Sequence, residues 1–221
     1  MLKKQFRKNN IYSFLLLLIL FTIFILFSAF SYVNAVSSEI SNSVFRLHVI
    51  ANSNSEEDQN LKYKVRDSLL EYMNSLCSNV SSKQEAISIA QNHVEDFKNI
   101  AKRVISDNGY EYTVSVEIGQ YDFPTKEYGD ITLPAGMYDA LRVKIGSATG
   151  HNWWCVMFPP LCFVDVSSGV VPDSSKELLE ENMSEEEYNL ITDSSNNSDL
   201  SFKFKIVELF ENIKIKLATN N

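Results

Sequence analysis

Few residues in this sequence have the types and spacings that metal binding or catalysis requires. The three histidines, His48, His93 and His151, lie far apart in the chain, and no Cys-x-x-Cys pair occurs. Zinc and similar metals are bound by clusters of such side chains. The chain also lacks a Gly-x-Ser-x-Gly nucleophile elbow and a glycine-rich phosphate loop. The sequence therefore predicts no metal and no cofactor.

Two sets of residues could still be written down as catalytic. Cys155, His48 and Asp165 would form a nucleophilic triad, and Asp67 with Asp139 would form a pair of carboxylates. Any chain of this size supplies such sets by chance, because a triad is defined by its geometry. Asp67 also lies among the charges of a predicted helix, where a solvated carboxylate is the ordinary case. We predict that the protein is not an enzyme; the alternative is an exported hydrolase acting on cell wall or peptide.

The most distinctive stretch is residues 152–165, which holds both tryptophans, two of the three cysteines and the pair Pro159-Pro160. Neighbouring residues of a strand point to opposite faces of a sheet, so Trp153 and Trp154 should have different surroundings. One can anchor a core while the other serves a second layer or a partner protein, because aromatic side chains are enriched in interface hot spots. Both a central strand and a recognition surface fit this stretch.

The cysteines leave the disulfide question open. Three cysteines in an exported protein leave at least one unpaired, and Cys77, at the end of a predicted helix, is typical of a small buried apolar residue. Cys155 and Cys162 could form a disulfide if the two prolines fold the chain back. A tight hairpin centred on the prolines would instead place Met157 opposite Cys162, so a bridge requires a shifted loop.

Residues 1–35 have the pattern of an export signal. Four bases precede an almost continuous apolar run over residues 14–30, and Val33-Asn34-Ala35 fits cleavage after Ala35. The run is also just long enough to span a membrane as an uncleaved anchor, with membrane contact through residues 11–33. The positive-inside rule places the remainder outside the cytoplasm in both cases. Without residues 1–35 the net charge changes from −8 to −12, which argues against binding to nucleic acid or to anionic lipid.

The residues that follow predict one α+β domain. After a Ser- and Asn-rich tether over residues 36–43, residues 44–50 alternate as a strand. Two amphipathic helices follow, one opened by a capping serine at position 53 or 55 and the other by Ser82. All glycines and prolines come later in the chain, as expected for strands joined by turns. We expect two helices packed on one face of a small antiparallel sheet, with the domain spanning residues 44–171.

The C-terminal part differs in character. Residues 172–199 are rich in Ser, Asn and Glu and predict a polar linker with one short helix at about residues 177–190. Residues 200–221 predict an amphipathic helical tail. This tail would either fold back on the domain or lie on a membrane or a partner.

Several blocks of the sequence resemble the stage II sporulation protein R family. They are residues 45–53 with Glu56, Asp58 and Gln59, residues 65–67, the segments around Phe123-Pro124-Thr125-Lys126 and Leu133-Pro134-Ala135-Gly136, and the whole of residues 152–165. The resemblance runs from about residue 44 to residue 165. Blocks of this length, in this order, are far more specific than a short catalytic motif.

The resemblance implies a signalling role during endospore formation. Members of the family are made in the forespore and exported into the space between the forespore and mother-cell membranes. There they activate a membrane-embedded aspartic protease of the mother cell, which processes the precursor of sigma factor E. The resemblance thus implies this protease as the partner and the intermembrane space as the location. A passive structural protein of that space is a further hypothesis.

We expect the partner to contact the two blocks that mix apolar anchors with polar side chains. The candidate contact residues are His48, Asn52, Ser53, Trp153, Trp154, Phe158, Pro159 and Pro160. Such contacts can activate a protease only if they are stronger in its active state than in its inactive state.

Overall fold

The computed structural model describes residues 2–162 and 171–192, and of residues 2–11, 29, 30 and 32–36 it describes the backbone alone. The chain divides into two compact units, Met1–Val36 and Ser37–Asn221. Helix α1 (Leu2–Ser43) forms the described residues of the first unit and ends within the second. The predicted cleavage after Ala35 falls one residue before the end of the first unit. In the described part of the chain, no helix combines the length and the apolar character needed to cross a membrane.

The second unit has the predicted α+β class. Its elements are β1 (Phe45–Ile50), α2 (Glu56–Leu76), α3 (Lys83–Asn92), α4 (Val94–Asp107), β2 (Val114–Phe123), β3 (Lys126–Tyr128), β4 (Ile131–Leu133), β5 (Gly136–Ile145), β6 (Asn152–Phe158), α5 (Asp173–Asn182) and α6 (Glu185–Thr192). Four strands form a sheet in the order β2-β5-β1-β6, and β3 pairs with β4 in a small second sheet. Neighbouring strands are antiparallel except β1 and β5, which are parallel.

The detail of two helices is not confirmed. Helix α2 is capped by Ser55, whose side chain accepts a hydrogen bond from the Asp58 N–H. The second predicted helix begins at the predicted cap, Ser82, but is divided at His93 into α3 and α4. Helix α2 packs on β1, β6 and α4, while α3 packs on β1 and α4 on β2. The helical layer therefore contains three helices.

The core lies between these helices and one face of the large sheet. Phe45, Leu47 and Val49, which alternate along β1 as predicted, are completely buried. Leu141 and Val143 of the neighbouring strand β5 pair with Leu47 and Val49 and are buried with them. Each buried side chain of this size contributes about 1.5–3 kcal/mol relative to its exposed state. The two interior strands, β1 and β5, therefore supply much of the core of the sheet.

The prediction of a tether over residues 36–43 is wrong for the residues from Ser37 onward. They continue α1 and pack on the domain: Ile40 is fully buried, and the Ser37 hydroxyl donates a hydrogen bond of 2.9 Å to the Ala135 carbonyl. The Ser43 hydroxyl likewise donates to the Asn182 carbonyl at 2.8 Å. The segment has the polar composition of a tether, but two of its serine hydroxyls bond to distant backbone carbonyls, so it is part of the packed unit.

The polar linker is also corrected, because residues 173–192 form two helices instead of one. Leu179 of α5 and Ile191 of α6 are buried, and α6 packs on β4. The Lys176 ammonium donates to Asp130 Oδ2 at 2.5 Å, which fastens α5 to the β3–β4 turn. The predicted tail, residues 200–221, lies outside the described residues.

Candidate partner-binding site

The segment after β1 is held by a network of hydrogen bonds inside the domain. Asn52 Nδ2 donates to Asp58 Oδ2 at 2.8 Å, and Asn52 Oδ1 accepts from the Ser147 N–H at 2.9 Å. The Asn52 carbonyl accepts from the hydroxyls of Ser147 and Thr149 at 2.7 and 2.9 Å. One asparagine thus joins the end of β1, the first turn of α2 and the turn between β5 and β6.

Ser53 belongs to the same network. Its hydroxyl donates to Asp58 Oδ2 at 2.6 Å, and its carbonyl accepts from Gln59 Nε2 at 2.8 Å. Burial alone would raise the pKa of Asp58, but the hydrogen bonds from Ser53 and Asn52 outweigh burial and lower it. Gly150 approaches so closely that a Cβ at its position would lie 2.1 Å from the Ser53 carbonyl oxygen. The polar groups of Asn52 and Ser53 are therefore occupied within the domain.

His48 is packed into the sheet on the face opposite the core. Its ring stacks on Trp154 with the centroids 3.7 Å apart, and Phe123 contacts it edge-on at 5.9 Å. The Nε2 atom lies 2.9 Å from Asn152 Oδ1. Burial, opposed by the Asn152 hydrogen bond and assisted by the charge of Arg142, lowers the pKa of His48 to about 4. The imidazole is therefore neutral at physiological pH and positions Trp154.

The two tryptophans lie on β6, the edge strand of the large sheet. Trp154 pairs with His48 and Trp153 with Val49 across the β1–β6 ladder, so the two indoles occupy opposite faces, as the alternation predicts. Trp153 meets α2, where Tyr63 contacts it edge-on at 5.4 Å and the Arg66 guanidinium lies 4.3 Å above its ring. Both indoles are only half-buried.

A cleft of about 670 Å³ opens along this edge and includes both tryptophans. Helix α2 forms one wall and the β3–β4 hairpin the other. The lining residues are Gln59, Lys62, Tyr63, Lys126, Glu127, Tyr128, Gly129, His151, Asn152, Trp153, Trp154, Cys155, Leu161 and Cys162. A cleft with aromatic walls and a few polar groups is the usual form of a binding site.

The walls of this cleft contain residues that were not predicted as part of a site. Lys62 is 1% exposed, and its ammonium donates to Gln59 Oε1 at 2.6 Å and to the His151 carbonyl at 3.1 Å. Tyr128 donates its hydroxyl hydrogen to the Trp154 carbonyl at 3.2 Å. The sequence does show that Lys62 and Arg66 share a helix face, because they are four residues apart. It does not show that this face meets β6.

The rest of the predicted contact block turns inward. A disulfide joins Cys155 to Cys162, with the Cα atoms 5.4 Å apart. Phe158 and Pro159 are buried, which argues against direct contact with a partner, whereas Pro160 is half-buried. The remaining residues of the block, 163–165, lie outside the described residues.

The structure does not unite the residues of the catalytic alternatives. Cys155 pairs with Leu47, on the core face of the sheet, while His48 occupies the other face; Asp165 lies outside the described residues. Asp139 forms an ion pair of 2.6 Å with Lys83, and Asp67 forms one with Arg66. Among the described residues, no group of three histidine, cysteine or acidic side chains is arranged to hold a metal ion.

Comparison with known proteins identifies relatives of this chain. The family model described as "Stage II sporulation protein R" matches residues 41–168. The stage II sporulation protein R of Bacillus subtilis (strain 168) is 38% identical over 130 residues. That match covers 59% of this chain and 58% of the relative, so it spans less than two thirds of the relative's length. No solved structure matches the chain.

Proposed function

We propose a signalling function in sporulation for this chain, which belongs to the stage II sporulation protein R family. In this proposal the protein is exported into the space between the forespore and mother-cell membranes, either released or anchored by its N-terminal segment. There it activates a membrane-embedded aspartic protease that processes the precursor of sigma factor E. The protein itself acts as a ligand for this protease.

The observation that best supports the proposal is the placement of both tryptophans in one cleft at the sheet edge. Half-buried aromatic side chains in a cleft are typical hot spots of protein interfaces. Trp153 and Trp154 are also the only tryptophans of the chain, so its largest apolar side chains are gathered at this cleft. Strand β6 is also an edge strand of the large sheet, a position at which another protein can contact a sheet.

Activation then requires that the protein bind the active state of the protease more tightly than the inactive state. A surface shaped by packed helices and strands suits this purpose, because a rigid ligand loses little conformational freedom on binding. The indole of Trp154 is held by its stack on His48, and that of Trp153 by Tyr63 and Arg66. Both anchors are therefore preorganised.

The test is reconstitution of the full chain with the protease and the sigma factor E precursor in membranes, with cleavage as the readout. We expect cleavage to depend on the added chain. Absence of any stimulation by the folded chain, with a protease known to be competent, would contradict the proposal.

The hydrolase alternative is tested in the same assay. His48→Phe, which keeps a ring to stack on Trp154, and the double variant Cys155→Ser/Cys162→Ser remove the groups that a nucleophilic mechanism would need. A ligand retains stimulation in those variants that stay folded, whereas a hydrolase loses it. The double variant is used because Cys155→Ser alone would leave the thiol of Cys162 unpaired.

A further inference from the structure

We infer that the cleft along β6 binds an acidic, extended segment of the partner protein, with the Lys62 ammonium receiving one of its carboxylates. The inference rests on the proposed function in that the partner is the protein that this chain activates. It adds the chemistry of the segment that the partner contributes.

The surroundings of Lys62 indicate that the ligand of the cleft is acidic. It lines the cleft and is almost completely buried, although a buried ammonium is costly unless it is paired with an anion. Its hydrogen bonds in the described part of the chain go to a neutral amide oxygen of Gln59 and to the His151 carbonyl. An ammonium has three N–H donors, so one remains for an incoming carboxylate.

The charges around Lys62 favour the same ligand. Lys126 lies on the hairpin wall, whereas Arg66, which lies against Trp153, is already paired with Asp67. Glu127 is the one carboxylate among the described lining residues. Among the described lining residues two lysines thus accompany one carboxylate, a small local excess of positive charge in a chain whose net charge is −8. A local excess of positive charge on an acidic protein selects an acidic partner by electrostatic complementarity.

The shape of the cleft favours an extended backbone. It follows the edge strand of the sheet, and a peptide laid along such an edge alternates its side chains between the two sides. One side presents Lys62, Tyr63 and Trp153, and the other presents Trp154 with the hairpin. The Trp154 and Val156 carbonyls of β6 already accept hydrogen bonds from the Tyr128 hydroxyl and the Leu161 N–H, so the binding segment should be held mainly through its side chains.

The protein contains its own reporter for this site, because its only two tryptophans both line the cleft. We would titrate the full chain with a capped octapeptide of alternating glutamate and valine, and follow the tryptophan emission. The control peptide has glutamine in place of glutamate. We expect saturable binding of the acidic peptide and about tenfold or more weaker binding of the neutral one, because charge-assisted hydrogen bonds are the stronger class.

The variant Lys62→Met tests the residue directly. It should weaken binding of the acidic peptide by about tenfold. Its melting temperature should be unchanged or higher, because removing a buried unpaired charge relieves its desolvation cost. Lys64→Met is the matched control: it removes the same charge from an exposed position on α2 and should change the dissociation constant by less than about twofold.

Equal binding of the two peptides, or equal binding by Lys62→Met and the unmodified chain, would overturn the inference. So would an emission that responds to neither peptide, since the cleft would then be filled by this chain itself, for instance by Asp165. An emission that changes with protein concentration alone would identify a second copy as the occupant and would also overturn the inference.

Peptide binding without stimulated cleavage would contradict the proposed function and leave this inference standing. Stimulated cleavage together with peptide binding that is unchanged in Lys62→Met would support the proposed function and overturn this inference.

Discussion

The end of β1 and the edge of β6 are neighbours in the sheet, yet their polar groups have opposite surroundings. After β1, the side-chain amide of Asn52 bonds to Asp58 and Ser147, so both its donor and its acceptor groups are used within the domain. At the edge of β6, the described residues offer the Lys62 ammonium only neutral acceptors, and the buried Trp153 indole N–H has no acceptor among them. The side chains of Asn52 and Ser53 are therefore satisfied within the domain, where Asp58 Oδ1 is the buried atom of the network without a described partner, whereas Lys62 and Trp153 at the cleft retain bonding capacity.

This difference separates structural polar residues from binding residues. A buried polar group that is fully bonded within the domain contributes to folding, and exposing it to a partner would first cost those bonds. A buried donor that still lacks an acceptor forms an additional hydrogen bond when a partner supplies that acceptor, and this bond stabilises the complex. The partner-dependent energy should therefore reside at β6, while the Asn52 region should determine the stability of the domain.

The largest effect is expected from Asn52→Ala. The substitution removes the bonds to Asp58 and Ser147 and takes a hydrogen bond from the buried Asp58 carboxylate, which should lower the free energy of unfolding by about 3 kcal/mol. Urea denaturation followed by tryptophan emission measures this loss. At temperatures where the variant remains folded, it should bind the acidic octapeptide like the unmodified chain.

Asn54→Ala serves as the control for Asn52→Ala. Asn54 lies two residues away and is exposed, so its substitution should change stability by no more than about 0.5 kcal/mol. If Asn52→Ala were as stable as this control but failed to stimulate cleavage, the network would be a contact surface and the comparison would be reversed.

The sequence predicts the fold class because its two periodicities are clear. Alternation along residues 44–50 identifies β1, and the apolar stripes identify the helical segments, although the second stripe is divided between α3 and α4. The parallel pairing of β1 with β5 is not predictable in this way, because Leu47 and Leu141 are brought together by the whole intervening chain. The packing of Ile40 also escapes prediction, because it is a single apolar residue in a polar segment.

In the candidate site, too, local features could be predicted from the sequence and long-range contacts could not. The alternation of Trp153 and Trp154 onto opposite faces follows from strand geometry alone. The role of Asn52 does not, because Ser147 and Thr149 lie 95 and 97 residues further along the chain. A polar residue after a strand fits a contact surface and an internal network equally well until its hydrogen-bond partners are known.

The stability of the domain should also depend on pH through His48, whose ring stacks on Trp154 and so joins β1 to β6 on the face of the sheet opposite the core. The folded pKa of His48, about 4, is below the ordinary unfolded value of about 6.5. The unfolded chain therefore binds a proton that the folded chain does not, and stability should fall by about 2 kcal/mol as the pH drops from about 6.5 to about 4.

His48→Phe should remove this pH-dependent loss while keeping a ring to stack on Trp154. The exposed His151 provides the control, because His151→Gln should leave the slope of stability against pH in place. Urea denaturation at several pH values between 4 and 7 checks both variants. If the free energy of unfolding of His48→Phe depended on pH as that of the unmodified chain does, another group would be responsible. The assignment of His48 as a buried neutral ring would then be wrong.

The smallest of these effects is expected from Trp153→Phe, which tests the β6 side of the comparison. A phenyl ring still packs near Tyr63 and Arg66 but loses part of the indole surface at the cleft, so the concentration of chain needed for half-maximal cleavage should rise about tenfold, equivalent to about 1.4 kcal/mol. Its stability should change less than that of Asn52→Ala. The matched control is Tyr121→Leu, a half-buried aromatic residue on β2 at the opposite edge of the sheet, which should stimulate cleavage normally. If Tyr121→Leu impaired stimulation and Trp153→Phe did not, the partner would bind the β2 edge, and the tryptophans of β6 would belong to the packing of the domain.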